Sequence, residues 1–442
     1  MGLSGQRTYV GFGFGAIQTG LFLYEAYQSG HFGRLVVAEV VPEVVTAMRA
    51  AGGHFSVNIA HLDRIESVTI GPVQIENPRE AADRGRLIEA IAAAEEIGTA
   101  VPSVNYYQTP GEGSLHQVLA DGLRLKARRS GPRAVIYAAE NHHRAAESLR
   151  EQVEVAVPDP ERTAVNDWVR YLNTVIPKMS GLTEGSSSEG EAPLLPVTPG
   201  SSRAFLVEAF NRILISKVDF SGAPDASPFE RGIDVFEEKV DLLPFEMAKL
   251  FGHNGTHALA AYLGRLCGAR YIAELQARED ILSVMRAALI SEAGAALIRR
   301  YAGVDVLFTT DGFTAMADDL LKRMLNPYLR DTVERVGRDP IRKLGWNDRL
   351  VGAMRLMLEQ GIVPVRYGVG AAAALAALEP AWLASSESPA PHLAALWGAE
   401  APEAEQAIVI EWVERGRNIL QAWAAAKYRG LDQLVQTEAA RF

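Results

Sequence analysis

Apolar residues in the first part of the chain alternate between short continuous runs and amphipathic stretches. Arg7, Thr8, Tyr9 and Val10 lead into Gly11-Phe12-Gly13-Phe14-Gly15, and apolar positions then recur at helical spacing over 16–27 (Ile17, Leu21, Tyr24). Buried strands are predicted over 35–40, 95–104 and 134–138, and helices over 43–51, 82–94 and 144–153. Strands alternating with helices predict a parallel sheet covered on both faces. Between 180 and 202 the apolar content nearly vanishes and Gly, Ser and Glu dominate, which predicts a mobile surface loop. Beyond it a 3.6-residue period takes over, at 205–217, 244–264, 280–302, 311–324, 348–360 and 403–427. The expected organisation is an α/β domain with a parallel-rich sheet over 1–203, followed by a mostly α-helical C-terminal domain over 204–442.

Composition narrows the function classes. The 442 residues are 48% apolar, ample for a core, so disorder is excluded as the main state. Lys+Arg 44 against Asp+Glu 54 leaves a net charge of −10, a poor match to nucleic-acid phosphates. The single cysteine, Cys267, excludes an intrachain disulfide and a Cys-rich zinc site and fits a reducing compartment. The N-terminus lacks the basic-then-apolar order of an export signal. The apolar run at 368–378 is shorter than the ~20 residues of a membrane span, and its alanines suit a tightly packed helix. A cytoplasmic protein with a small-molecule partner, no nucleic acid and no membrane is expected, as a monomer or small homo-oligomer.

The glycine turn is the first candidate for chemistry. A dinucleotide pyrophosphate needs backbone N–H groups at a helix N-terminus with no Cβ in the way. Gly13, Gly15, Ala16 and Ile17 offer this between strand and helix, although Gln18 stands where a third glycine is usual; the earlier register from Gly11 to Ala16 reads G-x-G-x-x-A. Glu39 follows Gly15 by 24 residues, near the spacing of an acid that binds ribose hydroxyls and repels a 2′-phosphate. The expectation is a Rossmann-like domain that binds NAD. The bland alternative is a tight strand-to-helix turn with a solvated glutamate.

The second candidate is Lys249-x4-Asn254-x2-His257. At about 100° per residue Asn254 and His257 share one helix face, with Lys249 about 80° from His257. A carbinol oxidation needs a base for the O–H proton, and lysine serves when burial or nearby positive charge brings its pKa toward neutrality. An amide N–H can stabilise the developing oxyanion. The bland alternative is a helix with a snorkelling lysine and a satisfied histidine. A tyrosine with lysine four positions on is absent, and His253 with His257 could at most begin a metal site, with no third ligand nearby. No metal is expected.

Taken together, these segments resemble the polyol-specific long-chain dehydrogenases, most closely the mannitol-1-phosphate 5-dehydrogenase branch. The resemblance is carried by the 13–20 turn, Thr99-Ala100-Val101, Ala139-Glu140-Asn141, Lys249-x4-Asn254-x2-His257 with 261–264, Asn326-Pro-Tyr-Leu-Arg-Asp331 and 334–338. It implies Lys249 as general acid–base, Asn254 and Asn173 as the amide pair on the reacting oxygen, and His257 as the residue orienting substrate hydroxyls. It also implies Thr99, Ala100, Val101, Glu140 and Asn141 along the cofactor, and Arg335 and Lys343 on the substrate. A sugar phosphate calls for cations, and Arg335, Arg338, Arg342 and Lys343 fall within nine residues, with Lys217 where the non-phosphorylated branch tends to carry an acid. A solvated basic face is the alternative for that run. Relative to the branch, 105–131, 180–202 and the C-terminus look like additions, the first placed where it could cover a cleft. The expected activity is NAD-dependent interconversion of a polyol phosphate and a ketose phosphate, mannitol 1-phosphate and fructose 6-phosphate foremost. A hexuronate or unphosphorylated polyol is the close alternative, and a catalytically silent NAD-binding sensor or scaffold the distant one.

Overall fold

A computed structural model describes residues 7–184, 193–222, 227–398 and 401–442. The chain divides into two compact units at Leu242/Leu243, so the expected boundary at 203/204 lies inside the first unit.

The strands of the first unit are β1 (Arg7–Phe12), β2 (Phe32–Ala38), β3 (Phe55–Ala60), β4 (Ile65–Ile70), β5 (Gln74–Glu76), β6 (Glu96–Thr99), β7 (Ala134–Ala138), β8 (Val169–Val175), β9 (Ser180–Glu184), β10 (Arg203–Glu208), β11 (Ile213–Ser216) and β12 (Phe236–Lys239). The main sheet runs β12-β11-β8-β7-β6-β1-β2-β5. Its stretch from β5 to β8 is parallel throughout. In chain order β1, β2, β5, β6, β7 and β8, this is the 3-2-1-4-5-6 order of a Rossmann fold, whose strand order reverses beside β1. Buried on both faces, β1 and β7 read as continuous apolar runs, with Tyr9, Val10, Val135, Ile136 and Tyr137 wholly enclosed. A second, four-stranded sheet runs β4-β3-β10-β9.

Three expectations are corrected here. The helix expected over 205–217 is two strands, β10 and β11, because partners on both sheets claim its apolar residues. The 105–131 segment is no appendage. It carries the Leu115–Arg128 helix that joins parallel β6 to β7, a crossover those strands require. Buried Lys126 ties that helix down by donating to the carbonyls of Ala92, Ala94 and Pro132. Of the 180–202 loop, 180–184 form β9, and Asn58 and Ser56 bind the backbone of Leu195 and Val197. Residues 185–192 lie outside the described residues.

The second unit is helical. The Ala-rich Val365–Leu378 helix is buried nearly all round. Its small residues let the Glu403–Ala425 helix approach until a Cβ on Gly416 would meet the Gly368 carbonyl at 2.3 Å. The helix over 279–300 is long and apolar enough to cross a membrane by length and composition; here more than half of it is buried in the protein, with Glu292 inside.

Candidate active site

In the first unit, β1 ends at Phe12 and Gly13 turns the chain with φ +86°, a conformation that favours glycine. A Cβ there would also sit 2.8 Å from the Ala100 carbonyl. Gly15 faces open space, and a helix over 16–29 starts at Ala16 and Ile17, its Gln18–Leu23 stretch wound as a π-helix. The missing third glycine has a structural answer. Gln18 is fully buried and donates to the Tyr9 hydroxyl at 2.8 Å. It occupies the space over Gly11, where a Cβ would meet it at 2.2 Å. Close packing of helix on strand is thus achieved with the glycine on the strand.

Glu39 folds back onto this turn. Its carboxylate accepts from the amides of Phe14 (3.0 Å), Val40 (2.7 Å) and Val41 (2.9 Å), and lone pairs remain for hydroxyl donors. At the ends of β6 and β7, buried Glu140 accepts from Thr99 Oγ1 (2.9 Å), the Val101 amide (2.9 Å) and the Tyr107 hydroxyl. Burial pushes its carboxyl up, against those donors. Glu140 therefore clamps the Thr99–Val101 edge that abuts Gly13, while Asn141 is exposed. The bare turn, the helix start and the acid on it fit a dinucleotide's pyrophosphate and ribose. Two other expected residues stand differently. The Asn173 amide is committed at both ends, accepting from the Ala146 amide and donating to Glu147. Lys217 is exposed just beyond β11.

In the second unit, Lys249 and Asn254 lie in a π-helical stretch, Ala248–Asn254, between the Leu243–Met247 and Gly255–Leu266 helices. In an α-helix residues five apart diverge by about 140°. A π-turn closes its rings five residues apart, which stacks Lys249 and Asn254 on one side. Both are half-buried, and neither side chain has a hydrogen-bond partner among the described residues. Burial first, then the positive charge of Arg349, bring Lys249 down to about 8, with Glu246 opposing.

One turn on, His257 Nε2 lies 3.2 Å from Asp331 Oδ2, too poorly aligned for a hydrogen bond, and both atoms are otherwise unpartnered. Asp331 Oδ1 takes Arg335 through Nε (2.9 Å) and Nη2 (2.6 Å). Burial raises the Asp331 carboxyl, but His257 and Arg335 prevail and hold it below the usual range. Burial, with His257 and nearby cations, keeps His253 neutral.

The basic run does not converge as a cluster. Arg338 and Arg342 are exposed, Arg342 beside Asp339 at 3.3 Å, as a solvated face would have them. Lys343 is buried, bonded to the Arg338 carbonyl, and brought to about 8 by burial and then Arg349. Arg349 went unnoticed in the sequence. Nearly buried, it spends Nε on Asp348 (2.7 Å) and leaves its terminal guanidinium nitrogens without a partner among the described residues. No motif marks it. Asp331 was visible only as the last residue of 326–331. Among the described residues no group of three or more His, Cys, Asp or Glu is placed to hold a metal.

Residues 241–379 match the family model described as the mannitol dehydrogenase C-terminal domain. Among solved structures, the chain is similar to Pseudomonas fluorescens mannitol 2-dehydrogenase, solved as a ternary complex with NAD and D-mannitol. The TM-score is 0.69 at 14% identity, covering 99% of this chain and 95% of that one. It is also similar to D-sorbitol dehydrogenase in substrate-free form, with a TM-score of 0.68 at 13% identity, covering 97% and 95%. The resemblance to polyol-specific dehydrogenases is borne out, by family model in the second unit and by fold across the whole chain.

Proposed function

We propose that the chain is an NAD-dependent oxidoreductase that interconverts a polyol and its ketose, with the phosphorylated pair mannitol 1-phosphate and fructose 6-phosphate as first choice. The observation that carries this is the π-turn that stacks half-buried Lys249 with Asn254, neither side chain having a hydrogen-bond partner among the described residues. NAD, when bound, takes up the hydride from the carbinol carbon. Lys249, neutral above about pH 8, takes the carbinol proton and returns it in the reverse direction. The Asn254 amide donates to the oxygen as negative charge grows on it. His257, held beside Asp331, orients a neighbouring hydroxyl. The family match over 241–379 and the neighbour solved with NAD and D-mannitol support this substrate class. Asn173 enters as an oxyanion donor only if its amide leaves Ala146 and Glu147.

The phosphate preference rests on Arg349, whose free guanidinium end suits an anion. An unphosphorylated polyol is the second reading, favoured by the pairing of Arg335 and Arg342 with aspartates; a hexuronate, itself an anion, would call on Arg349 as a phosphate does. A silent sensor is disfavoured by a lysine kept unpaired and near neutrality. A cytoplasmic setting belongs to the same proposal. NADH absorbance is followed with mannitol 1-phosphate, mannitol, sorbitol and a hexuronate, beside Lys249→Ala. Turnover of a polyol or its phosphate is expected, with kcat about 10²–10⁴-fold lower in the variant and NADH still bound. Wild-type kcat in Lys249→Ala would end the assignment of the base.

A further inference from the structure

We infer that Tyr367 is a positioning residue for this reaction, its hydroxyl holding the π-turn that stacks Lys249 with Asn254. The inference rests on the proposed role of those two side chains.

In a regular α-helix the Gly255 amide would return to the Phe251 carbonyl, four residues back. Here it donates to the Leu250 carbonyl, five back, and to that of Gly252. The Phe251 carbonyl instead accepts the Tyr367 hydroxyl, 116 residues away in sequence. Phe251 and Tyr367 are both buried, so water is a poor substitute, and an unpaired carbonyl there is costly. Burial pushes the Tyr367 hydroxyl well above its ordinary range, so it stays protonated and donates.

The hydroxyl is delivered accurately. Tyr367 lies in the first turn of the Val365–Leu378 helix, and its amide donates to Glu292 Oε2 at 3.1 Å. The Arg366 amide and guanidinium bind the same carboxylate at 2.8–3.1 Å. Glu292 itself sits in another π-helical stretch, Ala288–Gly294. At the receiving end the ring passes directly over Gly255. A Cβ there would meet Tyr367 Cε1 and its hydroxyl at 2.8 Å and the Arg349 carbonyl at 2.9 Å. Thr256 Oγ1 stands 3.5 Å from the same hydroxyl. Without that donor, the way to satisfy Phe251 is to rewind the turn to α geometry, which swings Lys249 away from Asn254.

The test is Tyr367→Phe in the full-length protein, with two readouts. The first is polyol oxidation. A misplacement of about 1 Å costs on the order of 10²-fold, so kcat falls about ten- to hundred-fold while KM for polyol and NAD stays within about threefold. The second needs no substrate: competitive acetylation of Lys249 across pH, read by mass spectrometry. Its midpoint rises in the variant toward that of an ordinary lysine. Unchanged kcat overturns the inference, and so does a kcat loss with the Lys249 midpoint unmoved. If the wild type turns over no polyol, the proposed function fails, and the labelling alone decides the role of Tyr367. Should the variant fail to fold, Gly255→Ala, which keeps the hydroxyl but displaces the ring, has to raise the Lys249 midpoint and lower kcat in the same way.

Discussion

Replacing Arg349 with methionine removes one positive charge from the surroundings of Lys249 and leaves that lysine in place. Lys249 falls from 10.5 to about 8, burial being the larger contributor and Arg349 the next. A cation close to a partly buried ammonium shifts it by on the order of one unit, or about 1.4 kcal/mol, and that is the share expected for Arg349. The sign follows from the chemistry. Oxidation needs neutral Lys249, so its rate rises with pH through about 8 and then levels. With the neighbouring cation gone the ammonium is easier to keep, and the limb moves up to about pH 9. At pH 7.5 the neutral fraction then drops from about one quarter to about 3%, roughly an eightfold loss, which nearly disappears by pH 10. Ketose reduction uses the ammonium, so its falling limb moves up by the same amount. The assay is kcat/KM against pH in both directions by NADH absorbance, which reports groups of the free enzyme. Lys343 also titrates near 8 and is also depressed by Arg349. Lys343→Met therefore serves as a control that has to keep the limb. If Arg349 also grips a substrate phosphate, the variant shows an added loss that is equal at every pH. A limb that stays at 8 or moves down refutes the electrostatic account.

Two further outcomes follow from the first unit. Glu39→Ala removes a carboxylate that accepts three backbone amides at the glycine turn, and charged hydrogen bonds of this kind carry about 1.5–3 kcal/mol. NADH binding, followed by fluorescence titration, weakens about tenfold or more and discriminates less against NADPH; an unchanged Kd would remove Glu39 from the ribose site. Gly11→Ala drives a methyl into Gln18 and destabilises by about 1–3 kcal/mol. Gln18→Ala makes room for it, so the double variant loses less than the two single losses added together. Strict additivity in denaturant midpoints would show that Gln18 is not what fills the third-glycine position.

The alternating strands and helices of the first unit were legible in the sequence because each β–α step carries its own period and turn. β7 and the second half of β2 bury both faces and spell continuous apolar runs, whereas β6, Glu96-Ile97-Gly98-Thr99, is as buried without one. Gly13 and Glu39 were legible for the same local reason: a positive φ and an acid at a strand end are properties of a few adjacent residues. The 205–217 segment misled because a short apolar run is compatible with either period, and only pairing partners far along the chain decide it. The addition suspected at 105–131 is a crossover helix, which becomes evident once β6 and β7 are seen to be parallel neighbours. In the second unit, sequence spacing picked out Lys249, Asn254 and His257 and put all three along one pocket wall, but on an α-helix, where the first two diverge by about 140°. What stacks them is a hydroxyl from Tyr367, and what brings Lys249 near neutrality is burial together with Arg349. The same packing scatters a basic run that reads as one cluster, leaving Arg338 and Arg342 outside and Lys343 inside. Local chain chemistry determined most of the β–α elements of the first unit and picked out Gly13, Glu39, Lys249, Asn254 and His257. Winding, charge environment and exposure were decided by contacts between residues remote in sequence, which no local pattern encodes.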